Sequence, residues 1–222
     1  MIEAKNMFEG KASRVIRVLL VNWPKSWDLR KLAEESDVSL STAQAVANTL
    51  LKGAYAIRER KRAEFRLMEP LKLLRRWAAY NDFSSRHKFI HYYTFEQEIE
   101  KFLGMLKSTK GPEYALTTLV GALQVAPYVR PSDVYLYIKS EDDAKKLAGL
   151  LGLKPVERAG NIIFVIPDDL SIFYGSRVID GVTVVSTVQL YADLFNYAGR
   201  GEEAAGELIK KIEKEWAKKR LD

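Results

Sequence analysis

The stretch Asp28-Leu29-Arg30-Lys31-Leu32-Ala33-Glu34-Glu35-Ser36-Asp37-Val38-Ser39-Leu40-Ser41-Thr42-Ala43-Gln44-Ala45-Val46-Ala47-Asn48-Thr49-Leu50-Leu51-Lys52 decides how this 222-residue chain is read. Asp28 is a capping residue, and Leu29, Leu32 and Ala33 recur at the spacing of one helical face. A short helix Leu29 to Glu35 then meets a turn at Ser36-Asp37, where Asp tolerates left-handed backbone better than most residues. Val38 supplies an apolar plug, and Ser39 or Ser41 can cap a second helix that runs to about Lys52. On that helix Ala43, Val46, Ala47 and Leu50 share a core face, while Ser41, Thr42, Gln44, Ala45 and Asn48 share the opposite one. Helix, turn, helix in this spacing predicts a major-groove reader of double-stranded DNA.

The flanks extend the motif. Val15, Ile16, Leu19, Leu20 and Trp23 mark one face of a helix from Ser13, ended by Pro24. After Gly53, Ala54 to Glu59 and Glu64 to Met68 read as two short strands around the basic tip Arg60-Lys61-Arg62, and Pro70 opens a helix to about Tyr80. The order is that of a winged helix-turn-helix over residues 10 to 85. Gln and Asn can bond both N6 and N7 of adenine, so Gln44 and Asn48 are the candidates for base readout. Ser39, Ser41 and Thr42 lie at the same helix start, and Arg58, Arg60, Lys61, Arg62 and Arg66 would meet the phosphates or the minor groove. Lys72, Arg75 and Arg76 support the same surface.

Charge divides the chain in the same place. Residues 1 to 88 hold 18 Lys and Arg against 10 Asp and Glu, a net of +8, whereas residues 89 to 222 hold 17 against 19, a net of −2. A basic head on a nearly neutral body suits a polyanion binder with a regulatory or oligomerising partner domain. Cysteine is absent, which excludes disulfides and thiolate zinc sites. His87 and His91, four residues apart, would point the same way on a helix but lack flanking carboxylates, so they read as ordinary histidines and no metal or cofactor is expected. No apolar run reaches the roughly 18 residues of a membrane span, and the N-terminal segment lacks the apolar stretch of a signal peptide. The expectation is a cytoplasmic protein.

Asn81 to Phe89 is polar and without period, which sets a boundary near residue 88. The division expected is a DNA-binding domain, 1–88, and a mixed α/β regulatory domain, 89–222, with a small sheet and C-terminal helices, in all an α+β protein. Thr94 with Gln97 resembles a capping box for a helix bearing Phe95, Ile99, Phe102, Leu103 and Leu106, and Pro112 opens another through Gln124. Strands are expected at Asp133 to Ile138, Asn161 to Ile166, Ile172 to Ile179 and Val182 to Val185, the last two joined by the hairpin signal Asp180-Gly181. Helices fill Glu141 to Leu151, Thr187 to Tyr197 and Glu202 to Lys219. In the last, Ala205, Leu208, Ile209, Ile212 and Trp216 form an apolar stripe, a packing or dimer face.

Several pieces occur together along nearly the whole chain. They are Tyr114-Ala115-Leu116-Thr117 with Ala122, Tyr128-Val129-Arg130-Pro131, Val134-Tyr135-Leu136-Tyr137, Leu151-Gly152-Leu153 and Asp180-Gly181-Val182 with Val184-Val185-Ser186. Val188-Gln189-Leu190-Tyr191-Ala192-Asp193-Leu194 and Gly199-Arg200-Gly201-Glu202-Glu203-Ala204-Ala205 complete the set. In these the chain resembles the AbiEi-type antitoxins, transcriptional regulators of type IV abortive-infection toxin–antitoxin systems. The resemblance implies a winged helix that represses its own operon and a C-terminal domain needed to neutralise a nucleotidyltransferase toxin. Direct contact with the toxin is not implied. Gln189, Asp193 and Arg200 are the candidates for antitoxin function in that domain. Beside this stands a plainer reading in which Gln189 and Asp193 cap and solvate a helix and Arg200 closes a helix C-terminus.

Catalysis has little support. Gly175-Ser176 is followed by no acidic pair for two metal ions, and Asp168, Asp169 and Asp180 lack the companions of a nuclease site. A ligand-responsive winged-helix regulator outside toxin–antitoxin systems remains an alternative, and a DNA-processing nuclease a weaker one.

Overall fold

The computed structural model describes residues 6–58, 64–128 and 130–219. In chain order the helices are α1 (Gly10–Val21), α2 (Leu29–Glu35), α3 (Leu40–Lys52), α4 (Pro70–Tyr80), α5 (Phe83–Arg86), α6 (Ile99–Ser108), α7 (Thr118–Val125), α8 (Glu141–Leu150), α9 (Thr187–Phe195) and α10 (Gly201–Lys219). The strands are β1 (Ala56–Arg58), β2 (Phe65–Leu67), β3 (Lys88–Tyr93), β4 (Tyr114–Leu116), β5 (Val134–Ile138), β6 (Lys154–Pro155), β7 (Ile162–Ile166), β8 (Arg177–Ile179) and β9 (Val182–Val184). Helix and sheet are mixed, in keeping with the α+β expectation. The chain divides into two compact units, one of described residues through Asn81 together with those from Ile209 onward, the other Asp82–Leu208.

In the first unit the expected local chemistry is realised. Asp28 accepts from the backbone N–H of Arg30 and Lys31, satisfying two of the orphan donors that open α2. Such a cap contributes about 1 kcal/mol. Asp37 takes φ 49° in the turn, and the backbone N–H of Val38 donates back to the Ala33 carbonyl at 3.0 Å. Ser39, not Ser41, is the N-cap of α3, accepting from the Thr42 N–H. Ala43, Val46, Ala47 and Leu50 are buried as the spacing predicts. α1 starts earlier than Ser13, at Gly10, whose φ of 50° turns the chain into the helix. Pro70 occupies the first turn of α4.

One feature of this unit lies outside what the sequence suggests. Trp27, between α1 and α2, forms an antiparallel bridge with Phe65, so the β1–β2 ribbon gains a short third strand. The stripe on the last helix is also used within the chain, since Ala205, Leu208, Ile209, Ile212 and Trp216 are all buried. The Trp216 ring lies 5.5 Å from that of Trp23, and Glu213 pairs with Arg75 at 2.8 Å. The stripe is thus used for packing within the chain.

The second unit, among its described residues, is built on a seven-stranded sheet of order β6-β3-β7-β5-β4-β9-β8. β5 and β7 run parallel with α8 between them in sequence, and β4 runs parallel to β9 with antiparallel neighbours outside. The Asp180-Gly181 hairpin forms as expected, with φ 47° and 83°, the primed turn that matches strand twist. Gly152 takes φ 65° after α8, and the Leu153 N–H returns to the Ala148 carbonyl.

Four expectations are corrected here. The helix after Thr94 begins only at Ile99, because Thr94 is held instead by the Asn161 amide, which accepts from its N–H and donates to its carbonyl. Phe95 therefore misses the core. The segment after Pro112 is strand β4 before it becomes α7, since Tyr114 to Leu116 pair with Leu136 to Ile138. Ile172 to Ile179 is strand only from Arg177, its first half being a 3-10 turn capped by Asp169. The stretch Asn81 to Phe89, read as polar and without period, runs through α5 into β3, an interior strand between β6 and β7.

Candidate functional site

α3 presents the residues chosen for DNA contact, and the geometry separates them into two groups. Gln44 and Asn48 are exposed and one turn apart, and neither side chain hydrogen-bonds to another of the described residues. Ser39, Ser41 and Thr42 are occupied with each other. Ser39 Oγ lies 2.9 Å from both Ser41 Oγ and Thr42 Oγ1 while accepting from the Thr42 N–H. That cluster fixes the start of α3. Ahead of the turn, Arg14 pairs with the Asp37 carboxylate and also bonds its carbonyl at 3.1 Å, tying α1 to the turn between α2 and α3.

Ile57 pairs with Arg66 and Arg58 with Phe65, so Arg58 and Arg66 stand on opposite faces of the ribbon. Arg60, Lys61 and Arg62 lie outside the described residues. The α4 cations are tied locally. Arg76 donates to the Tyr55 hydroxyl at 2.9 Å, which holds its guanidinium above its ordinary range, Arg75 pairs with Glu213, and the Lys72 ammonium sits 5.3 Å from the Tyr55 ring.

Tyr55 also explains Gly53. A side chain at Gly53 would meet the Tyr55 ring at 2.8 Å, while the left-handed residue that leaves α3 is Ala54, at φ 56°. The helix stop is therefore divided between two residues, one small for space and the other strained.

The second unit gathers residues that are scattered along the sequence. Asp193, on α9, is 0% exposed, and its carboxylate accepts from side chains at the start of α7, on β5 and on its own helix. Among these donors are Thr117 Oγ1 at 2.6 Å, the Tyr137 hydroxyl at 3.1 Å and Gln189 Nε2 at 2.7 Å. Because the Tyr137 hydroxyl gives its hydrogen to Asp193, the His87 Nε2 that stands 3.2 Å from it is placed to donate to the phenol oxygen. His87 Nδ1 in turn faces Asp168 at 3.6 Å. A chain of polar groups thus runs from a half-exposed carboxylate at Asp168 to a fully buried one at Asp193. Thr118, next to Thr117, takes φ 50°, strained for a β-branched residue, where β4 turns into α7.

Gln189 and Asp193 are therefore brought together, and neither solvates its helix. Arg200 is not with them. It is exposed and pairs with Glu203 in the first turn of α10 at 3.4 Å. The glycines beside it have separate reasons. Gly199 takes φ 74°, and a side chain on Gly201 would press on the Leu194 carbonyl and Tyr197. His87 and His91 do not share a helix. His87 is buried ahead of β3 and His91 lies on the strand. Among the described residues no cluster of three or more His, Asp or Glu could hold a metal ion, and no helix is long and apolar enough to cross a membrane.

Thr117, Tyr137, Gln189 and Asp193 belong to the segments that carry the sequence resemblance. Over residues 66–214 the chain matches the family described as transcriptional regulator, AbiEi antitoxin, type IV TA system. That is a class of regulators of transcription. The match spans more than half of the chain, which belongs to the AbiEi antitoxin family of type IV toxin–antitoxin systems. No curated protein and no solved structure matches it.

Proposed function

We propose that residues 10 to 85 are a winged helix-turn-helix that binds duplex DNA, and that the protein represses its own operon from the cytoplasm as the antitoxin of a type IV system. It counters a nucleotidyltransferase toxin, with no need of direct contact. Two copies read a repeated site, since one α3 specifies only a few base pairs.

The observation that carries this reading is α3 itself, with a buried apolar face and an exposed face whose amides have no partner among the described residues. The Trp27–Phe65 bridge supports it, because it fastens the β1–β2 ribbon beside the helices in the manner of a wing. Family membership supports the regulatory role. In this arrangement Gln44 and Asn48 read bases, Ser39, Ser41 and Thr42 seat the start of α3 on the backbone, and Arg58, Arg60, Lys61, Arg62 and Arg66 supply phosphate contacts. Gln189 and Asp193 hold the second unit together, and Arg200 is its exposed candidate for protection against the toxin.

The test pairs promoter binding in vitro with growth on co-expression with the neighbouring toxin. The triple change Arg60→Ala, Lys61→Ala, Arg62→Ala should abolish repression and flatten the dependence of log K on log salt by roughly 0.9 for each phosphate no longer neutralised. Protection should survive it and be impaired by Arg200→Ala. A full-length protein that binds its promoter no better than random duplex would overturn the repressor reading. A folded wing variant without either function would show that protection runs through DNA binding.

A further inference from the structure

The exposed face of α3 has an unusual composition for a base reader. From Ser39 to Leu51 the chain holds no Lys, Arg, Asp or Glu. Guanine is ordinarily read by Arg or Lys at O6 and N7, and cytosine by Asp or Glu at N4. Neither kind of reader is present on this stretch. The hydroxyls of Ser39, Ser41 and Thr42 are bonded to each other at its start. What remains facing outward is the row Leu40, Gln44 and Asn48, four residues apart each time, with Leu40 43% exposed.

An exposed leucine in the first turn of a helix contributes little to the core on the other side. Its exposure is explained if it meets an apolar surface in the groove, and the thymine 5-methyl is the apolar group a major groove offers. The two amides beside it are the side chains whose donor and acceptor match adenine N6 and N7. The row spans roughly 12 Å along the helix axis, comparable to three or four base-pair steps.

We propose that α3 is a reader of A·T pairs, in which Leu40 packs on a thymine methyl while Gln44 and Asn48 each bond an adenine edge, so that the half-site core beneath it specifies no guanine. This rests on the DNA-binding reading above and deepens it. Affinity then comes from cations off this face, and sequence preference from a helix that carries no charge on it.

The experiment is selection from randomised duplexes by the full-length protein, followed by base analogues in the selected site. The core should be enriched in A·T pairs. Replacing a selected adenine by 7-deazaadenine removes N7 and should weaken binding about tenfold, an effect absent in the matching Gln44→Ala or Asn48→Ala variant. Uracil in place of the contacted thymine should weaken it about fourfold, and Leu40→Ala should be indifferent to that change. Enrichment of guanine in the core, or indifference of the unmodified protein to both analogues, overturns the proposal while leaving DNA binding in place. If no duplex is enriched and none is bound, the DNA-binding reading itself falls, and this inference with it.

Discussion

Trp27 and Phe65 exchange backbone hydrogen bonds in both directions, each at 2.8 Å. The bridge joins the segment before α2 to the second strand of the ribbon, and both side chains are buried. The ribbon is thereby fastened to the helices by main chain as well as by packing. Phe65→Ala should cost about 3–5 kcal/mol in denaturant unfolding, from reduced burial and the cavity left behind. Arg66→Ala, on the other face of the strand, should cost under about 1 kcal/mol. Equal costs in the two variants would mean that the ribbon is not fastened through Phe65.

The end of α3 makes a paired prediction. Gly53→Ala forces a methyl against the Tyr55 ring, itself held by Arg76, and should destabilise by about 1–2 kcal/mol. Ala54→Gly relieves a left-handed alanine and should stabilise by roughly 0.5–1 kcal/mol despite the greater freedom of glycine when unfolded. Thermal melts of the two single variants should move in opposite directions. A glycine at 54 that lowers the melting temperature would contradict the assignment.

Asp193 should be the most sensitive polar position of the second unit. Asp193→Ala removes the acceptor that Thr117, Tyr137 and Gln189 share, at a cost of about 3–5 kcal/mol. Asp193→Asn keeps one acceptor and should cost less. Arg200→Ala, removing an exposed pair, should lie within about 1 kcal/mol of the parent. Urea titrations read these differences directly, and a change under about 1 kcal/mol for Asp193→Ala would count against the cluster as a structural centre.

Alkaline pH supplies another test. Burial pushes the Tyr197 hydroxyl well above its ordinary value of 10.0, and its hydrogen bond with Tyr135 and the charge of Asp133 push the same way. A group whose folded value is raised adds stability that is complete below the unfolded value and declines as pH climbs toward the folded one. Stability should therefore fall with pH above about 10, and the slope should be shallower in Tyr197→Phe. Urea midpoints from about pH 9 upward decide the point, parallel slopes being the contrary result.

Much of the first unit was legible because its signals are local. Asp28, Asp37, Ser39 and the 43-46-47-50 row each act within a few residues, and each is found where the spacing puts it. The Trp27 bridge was not legible, since an isolated pair leaves no period. β3 was missed because Lys88-Phe89-Ile90-His91-Tyr92-Tyr93 alternates no apolar face, although it runs between two strands. β4 was missed because three apolar residues after a proline read equally well as the start of α7. The polar cluster is tertiary, drawn from the end of β4, from β5, from the entry to β3 and from α9. One sign of it was available. α9 is apolar nearly all round, and a Gln and an Asp four residues apart on such a helix have no solvent to face and must find partners inside.

The return of the last helix to the first unit has a consequence for the order of synthesis. A ribosome delivers α1 to α4 early, yet Trp216, which meets Trp23, and Glu213, which meets Arg75, emerge only after the sheet of the second unit has been made. Domains that are contiguous in sequence can complete themselves as they leave the ribosome. This one cannot. Its first unit closes only on a chain translated through the second, so a nascent or prematurely terminated chain carries a hydrophobic face still open.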